Sequence, residues 1–225
     1  MTDTSRPSPD DFQKLSDAAR DIAERNLDIQ QEVYGITIDA LTRGKLEPDR
    51  IRQVVQSVFH GIQAGVSQNT EELEATFRKA ANGLDEALAS AAVATKLAIQ
   101  EASSKAGEYS DQEIKKSLHQ LGDLENQFLD TLHSLASTGT ESSREIFSRL
   151  AEHTRQTGTS VGHRSAEALK ELGTLIEQFG KMSFDASSQF AKVAGGSILQ
   201  IASGFLSGVA DSLKKADPTR QDHPK

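Results

Sequence analysis

Apolar side chains recur along this chain in alternating steps of three and four, and no stretch alternates with period two. Steps of three and four put one apolar stripe on a helix; period two would put one on a strand. The first stripe runs through Phe12, Leu15, Ala19, Ile22, Ile29, Val33, Ile36 and Ala40, a heptad seam that misses only Asn26. A polar residue there either sets register in a coiled coil or sits at a wet edge of the seam. A second stripe follows through Ile51, Val54, Val55, Val58, Ile62 and Val66, and a third through Leu73, Phe77, Ala80, Leu84, Ala87, Ala91, Ala94 and Ala98. Ile114, Leu118, Leu121, Phe128, Leu132 and Leu135 form the next, then Ile146, Phe147 and Leu150. The last seam takes Val161, Ala168, Leu172, Leu175, Phe179, Met182, Ala186, Phe190 and Val193, missing Ser165.

Local signals divide these stripes. Ser8-Pro9-Asp10-Asp11 has the form of a helix start: a capping hydroxyl, proline at the first helical position and acids at the positive dipole end. Gly44 stops a helix and Glu47-Pro48-Asp49 begins another. Asn69 or Thr70 offers a fresh cap, Ser110-Asp111-Gln112-Glu113 is a capping box, and Gly139 between two threonines marks a turn. The spacing predicts helices over about 9–43, 48–67, 70–106, 111–137, 141–157 and 160–215. The expected fold is all-α: an elongated antiparallel bundle of long amphipathic helices with coiled-coil-like packing. It forms a single domain over 9–215, with disordered ends at 1–8 and 216–225.

Glycine is placed where helices tolerate it least. Three pairs stand four residues apart: Gly61 with Gly65, Gly158 with Gly162, and Gly204 with Gly208. Each glycine inside a helix costs about 0.5–1 kcal/mol relative to alanine. Spacing of four puts both on one face, so the expected return is close packing against another helix backbone.

The C-terminal copy lies in the longest uncharged run, 18 residues from Val193 to Ala210. Eight of these are Gly, Ser or Gln, too polar for a spanning helix. Its large side chains are sided: Ile198, Leu199, Ala202, Phe205, Leu206, Val209 and Leu213 follow the three-four pattern. These seven are the expected surface-binding or self-association residues, unless the helix closes the bundle as core.

Composition narrows the function. The net charge is −8 and no basic stripe offers itself to phosphates, so nucleic acid is not an expected partner. The segment 192–225 departs from the acidic body, with five cations against three acids. Cysteine is absent, which removes disulfides, thiol nucleophiles and Cys-type zinc sites. The polar, acidic N-terminus has no apolar core of a signal peptide, which points to the cytoplasm. None of the six histidines, at 60, 119, 133, 153, 163 and 223, stands three or four residues from another. Asp130 and His133 make one acid-x-x-His pair, whereas a di-metal bundle uses two with further glutamates. No phosphate loop and no Gly-x-Ser-x-Gly elbow occurs. The expectation is a protein without catalytic residues, metal, cofactor or small-molecule substrate.

The Cys-free, Trp-free, Ala/Ser/Gln/Glu-rich composition over most of residues 10–215 resembles that of phasins, bacterial helical proteins that coat polyester storage granules. The stretches LDEALASAA (84–92), QLGDLENQFLDTL (120–132) and ASGFLSGVADSL (202–213) look like an uncharacterised bacterial all-helical family with no assigned activity. The resemblance implies a cytoplasmic, homo-oligomeric protein, peripheral to a granule or membrane. It would dock on that hydrophobic surface through its C-terminal helix. The alternative is a soluble self-associating coiled-coil scaffold.

Overall fold

The computed structural model describes residues 9–25, 28–66, 70–105, 108–180 and 197–216. Within them the chain is all-α. Its helices are α1 (Pro9–Glu24), α2 (Ile29–Thr42), α3 (Pro48–Gly65), α4 (Thr70–Ser104), α5 (Asp111–Gly122), α6 (Leu124–Thr138), α7 (Glu141–Thr157), α8 (Ser160–Glu171), α9 (Gly173–Gly180) and α10 (Ile198–Ala216). Among the described residues no helix is long and apolar enough to cross a membrane.

Three of the expected long helices are broken. The 9–43 stretch is α1 and α2, because the Asp28 carboxylate accepts from the Gln31 amide and caps a new start. The expected stripe holds across this break only through Ile29 and Val33; α2 then buries Thr37, Ile38 and Leu41, while the expected Ile36 and Ala40 are half-buried. Asn26, the polar seam residue, lies outside the described residues. The 111–137 stretch breaks at Asp123 into α5 and α6. The 160–215 stretch breaks at Leu172, and the seam residues Met182, Ala186, Phe190 and Val193 lie outside the described residues. The expected disordered ends, 1–8 and 217–225, also lie outside them, while Ala216 is the last residue of α10. The capping box is present: Ser110 Oγ accepts from the Glu113 amide at 3.2 Å and the Glu113 carboxylate accepts from the Ser110 amide at 3.1 Å.

The closest pairs are alternate helices, and they run parallel. Gly61 of α3 meets Ser16 and Ala19 of α1, and Gly65 meets Arg20 and Ala23, so a step of four on one helix is a step of four on the other. Gln30 and Tyr34 of α2 meet Glu86 and Ser90 of α4 at one sequence offset of 56 residues. For α3 to lie beside α1 in the same direction, α2 must run back between them. α2 is therefore antiparallel to α1 and α3, and the backbone notches join α1 to α3 and α2 to α4.

The 35-residue α4 is the axis of the fold. It packs against α2 and α10 along one side and α8 along another. Glu74–Arg149, Asp85–Ser160 and Lys96–Glu171 all join it to α7 and α8 at the same offset of 75 residues. Steps of eleven along both helices are three turns each, which keeps one edge of α4 facing the partner over its length. The deepest core is a ring cluster: Phe59 of α3, Phe77 of α4 and Phe147 of α7 have centroids 4.7 to 5.9 Å apart.

Candidate functional site

The stripe that α10 buries is the one with heptad spacing. Ile198, Leu199, Ala202 and Leu206 are core residues packed over α4 and α2. The expected seven-residue binding face is therefore divided, because four of its members are already covered. Phe205 and Val209 point away from that core. The side chain of Leu213 lies outside the described residues.

Phe205 and Val209 do not stand alone. Among the described residues four large apolar side chains are exposed, Val93, Leu97, Phe205 and Val209, each to between 37% and 39%. All four line one groove of about 1180 Å³. Its floor is the uncovered face of α4, where Glu86, Ser90, Val93 and Leu97 stack at helical spacing. One wall is α10 with Tyr34 of α2; the other is the first two turns of α8. A helix with side chains is about 10 Å across and rises 5.4 Å per turn, so the groove has room for roughly two to three turns.

Each wall is fixed by named bonds. Gln30 Nε2 donates to Glu86 at 2.7 Å, and the hydroxyls of Tyr34 and Ser90 lie 3.2 Å apart, which ties α2 to the floor. The other wall starts where Gly158 turns the chain with φ of 79°, a conformation glycine adopts without strain. Thr159 Oγ1 then accepts from the Gly162 amide at 2.8 Å and donates to Glu125 at 2.6 Å. The Asp85 carboxylate of α4 accepts from the amides of Ser160 and Val161 at 2.7 and 2.9 Å, taking up the orphan donors of α8. Asp85→Ala should cost about 1–2 kcal/mol, the range of a lost N-cap. It should also speed amide exchange in residues 160–163 more than in α4, which hydrogen exchange would read.

The glycines separate by role. Gly61 and Gly65 are backbone notches: an added Cβ would meet the Ser16 carbonyl oxygen at 2.0 Å and that of Arg20 at 2.4 Å. Gly83, not singled out by the pairing, is a third notch, where an added Cβ would collide with the Gln30 carbonyl oxygen. Gly158 and Gly162 are not a helix-packing pair. Gly158 is the turn before α8, and Gly162, in its first turn, admits the Glu125 carboxylate within 2.4 Å of a built Cβ. Gly204 and Gly208 have nothing within 4 Å of a built Cβ among the described residues. They are exposed beside Phe205 and Val209.

Val93 and Leu97 were not among the expected site residues. The signal for them was present: within ALASAAVATKLA they stand off the seam Ala87, Ala91, Ala94 and Ala98. His60, beside Gly61, is exposed, as are Asp130 and His133. Among the described residues no three His, Asp or Glu side chains gather as a metal site.

A family model matches residues 5–215, and its description is a family of unknown function (DUF6781). The match carries no activity and gives no link to phasins. No curated protein and no solved structure matches the chain.

Proposed function

We propose, for a chain that belongs to this family of unknown function, a non-enzymatic helical protein that self-associates through the α10 face and its groove. One observation carries this reading: the large apolar side chains exposed among the described residues collect on one groove, and a Cβ built at the neighbouring Gly204 or Gly208 meets open space among the described residues. Knob and hole sit together on α10. Phe205 and Val209 project where Gly204 and Gly208 leave the backbone bare. Such a face is self-complementary: across a twofold axis, Phe205 of one copy covers the glycines of the other.

The granule-coating reading places the same residues against a broad hydrophobic surface. Its support is compositional. The four exposed side chains line a concave groove rather than a flat patch, which favours an inserted helix over a planar surface.

The magnitudes make the contact sensitive to one residue. Full burial of such side chains is worth about 1.5–3 kcal/mol each, and about two-fifths of each remains uncovered, so the four supply on the order of 3 kcal/mol. A micromolar complex needs about 8 kcal/mol, so backbone contact at the glycines must carry much of the remainder. Phe205→Asp removes the largest knob and would bury an unpaired carboxylate. Analytical ultracentrifugation should show a reversible dimer for the native chain and a monomer for Phe205→Asp, with unchanged helicity and melting temperature. A native chain that stays monomeric overturns the reading. Flotation of that monomer on vesicles or polyester particles would put the hydrophobic surface in its place.

A further inference from the structure

The chain has four asparagines, at 26, 69, 82 and 126, and only Asn82 is followed by glycine. An asparagine side chain reacts with its own backbone when the next amide nitrogen reaches its Cγ. Glycine in the next position favours this, because no Cβ obstructs that nitrogen and the backbone turns freely. Asn82 and Gly83 lie inside α4 rather than in a loop. The Asn82 side chain is exposed, so water reaches it, while Gly83 is buried against α2. Gly83 is the notch that receives the Gln30 carbonyl, and a Cβ built there would stand 3.1 Å from the Tyr34 nitrogen.

Two features of α4 hold the reaction off. Helical ψ, about −42°, turns the Gly83 nitrogen away from the Asn82 side chain, so a five-membered ring cannot close. Inside the helix that nitrogen also donates its proton to the carbonyl four residues back. Release requires the turns around residue 82 to leave the helix, and α2 packs on this stretch. Gln30 Nε2 donates to Glu86, one turn beyond Asn82, and the Tyr34 and Ser90 hydroxyls meet one turn further on.

We propose that Asn82–Gly83 is a deamidation site that the α2–α4 contact keeps closed, and that conversion of Asn82 to isoaspartate unfastens α2 from α4. In the opened segment a base takes the Gly83 amide proton and the nitrogen attacks Asn82 Cγ. The N–Cγ bond forms, the Cγ–Nδ2 bond breaks and ammonia leaves. Water then opens the ring, at Cγ to give aspartate or at the main-chain carbonyl to give isoaspartate; nothing is oxidised or reduced. Isoaspartate routes the main chain through the side-chain methylene and adds one backbone atom. The helical phase on the two sides of residue 82 then no longer matches. Gly83 no longer faces Gln30, and Glu86 and Ser90 lose their alignment with Gln30 and Tyr34. The aspartate product keeps the backbone and adds only a charge one turn from Glu86, a smaller loss.

The test ages the full chain in neutral buffer and in urea at the same pH, with peptide mapping by mass spectrometry to follow conversion and isoaspartate at residue 82. In urea Asn82 should convert first of the four asparagines. In buffer it should convert at least about a hundredfold more slowly, because only the opened segment reacts. Gln30→Ala combined with Tyr34→Phe removes both side-chain ties and should speed conversion in buffer by about tenfold. Gly61→Ala loosens α1 from α3 instead and should leave the rate unchanged. Chain converted in urea and returned to buffer should exchange its amides faster across residues 30–41 where it carries isoaspartate. Asn82→Asp, and Asn82→Ala taken through the same urea cycle, should exchange like the native chain. Equal rates in buffer and urea, no acceleration by the double variant, or equal acceleration by Gly61→Ala would overturn the proposal. So would native exchange in the isoaspartate-bearing chain, or an equal loss of protection in Asn82→Ala.

Discussion

Gly61→Ala should destabilise the protein by about 1–3 kcal/mol, although alanine is the better helix former by about 0.5–1 kcal/mol. The new methyl would stand 2.0 Å from the Ser16 carbonyl oxygen and 2.7 Å from Ala19 Cβ. The first of these neighbours is backbone and cannot swing away as a flexible side chain can. The whole of α1 would have to withdraw from α3, loosening Val58 and Ile62, both fully buried in the core. Gly65→Ala should act in the same direction through the Arg20 carbonyl. Gly204→Ala, with open space around its Cβ, should do the reverse. It should gain about 0.5–1 kcal/mol of helix stability in the monomer and weaken self-association by filling the hole that Phe205 needs. Urea denaturation of the three variants, with sedimentation of Gly204→Ala, checks both signs. A Gly61→Ala protein more stable than the native chain would mean that α1 and α3 do not pack at this distance.

Phe77→Ala should cost about 3–5 kcal/mol, the largest loss from a single truncation in this fold. Phe77 is 0% exposed, stacked on Phe147 at 4.7 Å and edge-on to Phe59 at 5.9 Å. The three rings bring together α3, α4 and α7, the last more than sixty residues away in sequence. Removing the central ring empties a site whose neighbours belong to three different helices, so relaxation into the gap is limited. At about 2–4 °C per kcal/mol for a chain of this length, the melting temperature should fall by roughly 10 °C or more. Thermal unfolding followed by circular dichroism reads this directly. A fall of only a degree or two would mean that the cluster repacks.

The difference between Gly61 and Gly204 shows where sequence reading stops. Both are the first member of a glycine pair four apart in an apolar helix, and both were assigned to close packing. One pair receives a backbone from α1; at the other a built Cβ meets open space among the described residues. Spacing places two notches on one face of a helix but does not say what lies opposite. The pair at 158 and 162 fails for another reason: Gly158 has positive φ, so the helix had already ended. In α10 the heptad stripe was legible as an apolar face, and its four most buried members are core. Phe205 and Val209 look the same in the pattern, because an apolar residue one position off the seam is read as part of the stripe.

Sequence alone determined that the chain is helical throughout the described residues, through the three-four periodicity and the near-absence of proline inside it. It also determined that α3 starts at Pro48 and α5 behind Ser110, because proline geometry and a capping side chain act within one turn. Only the tertiary structure decided that alternate helices are the close neighbours and that α4 keeps one face uncovered. It alone placed the guanidinium of Arg50 in the interior, against the Ala40 carbonyl and the Phe12 ring. These depend on which surfaces meet across long stretches of chain, where apolar burial is favourable for many pairings and packing geometry selects among them.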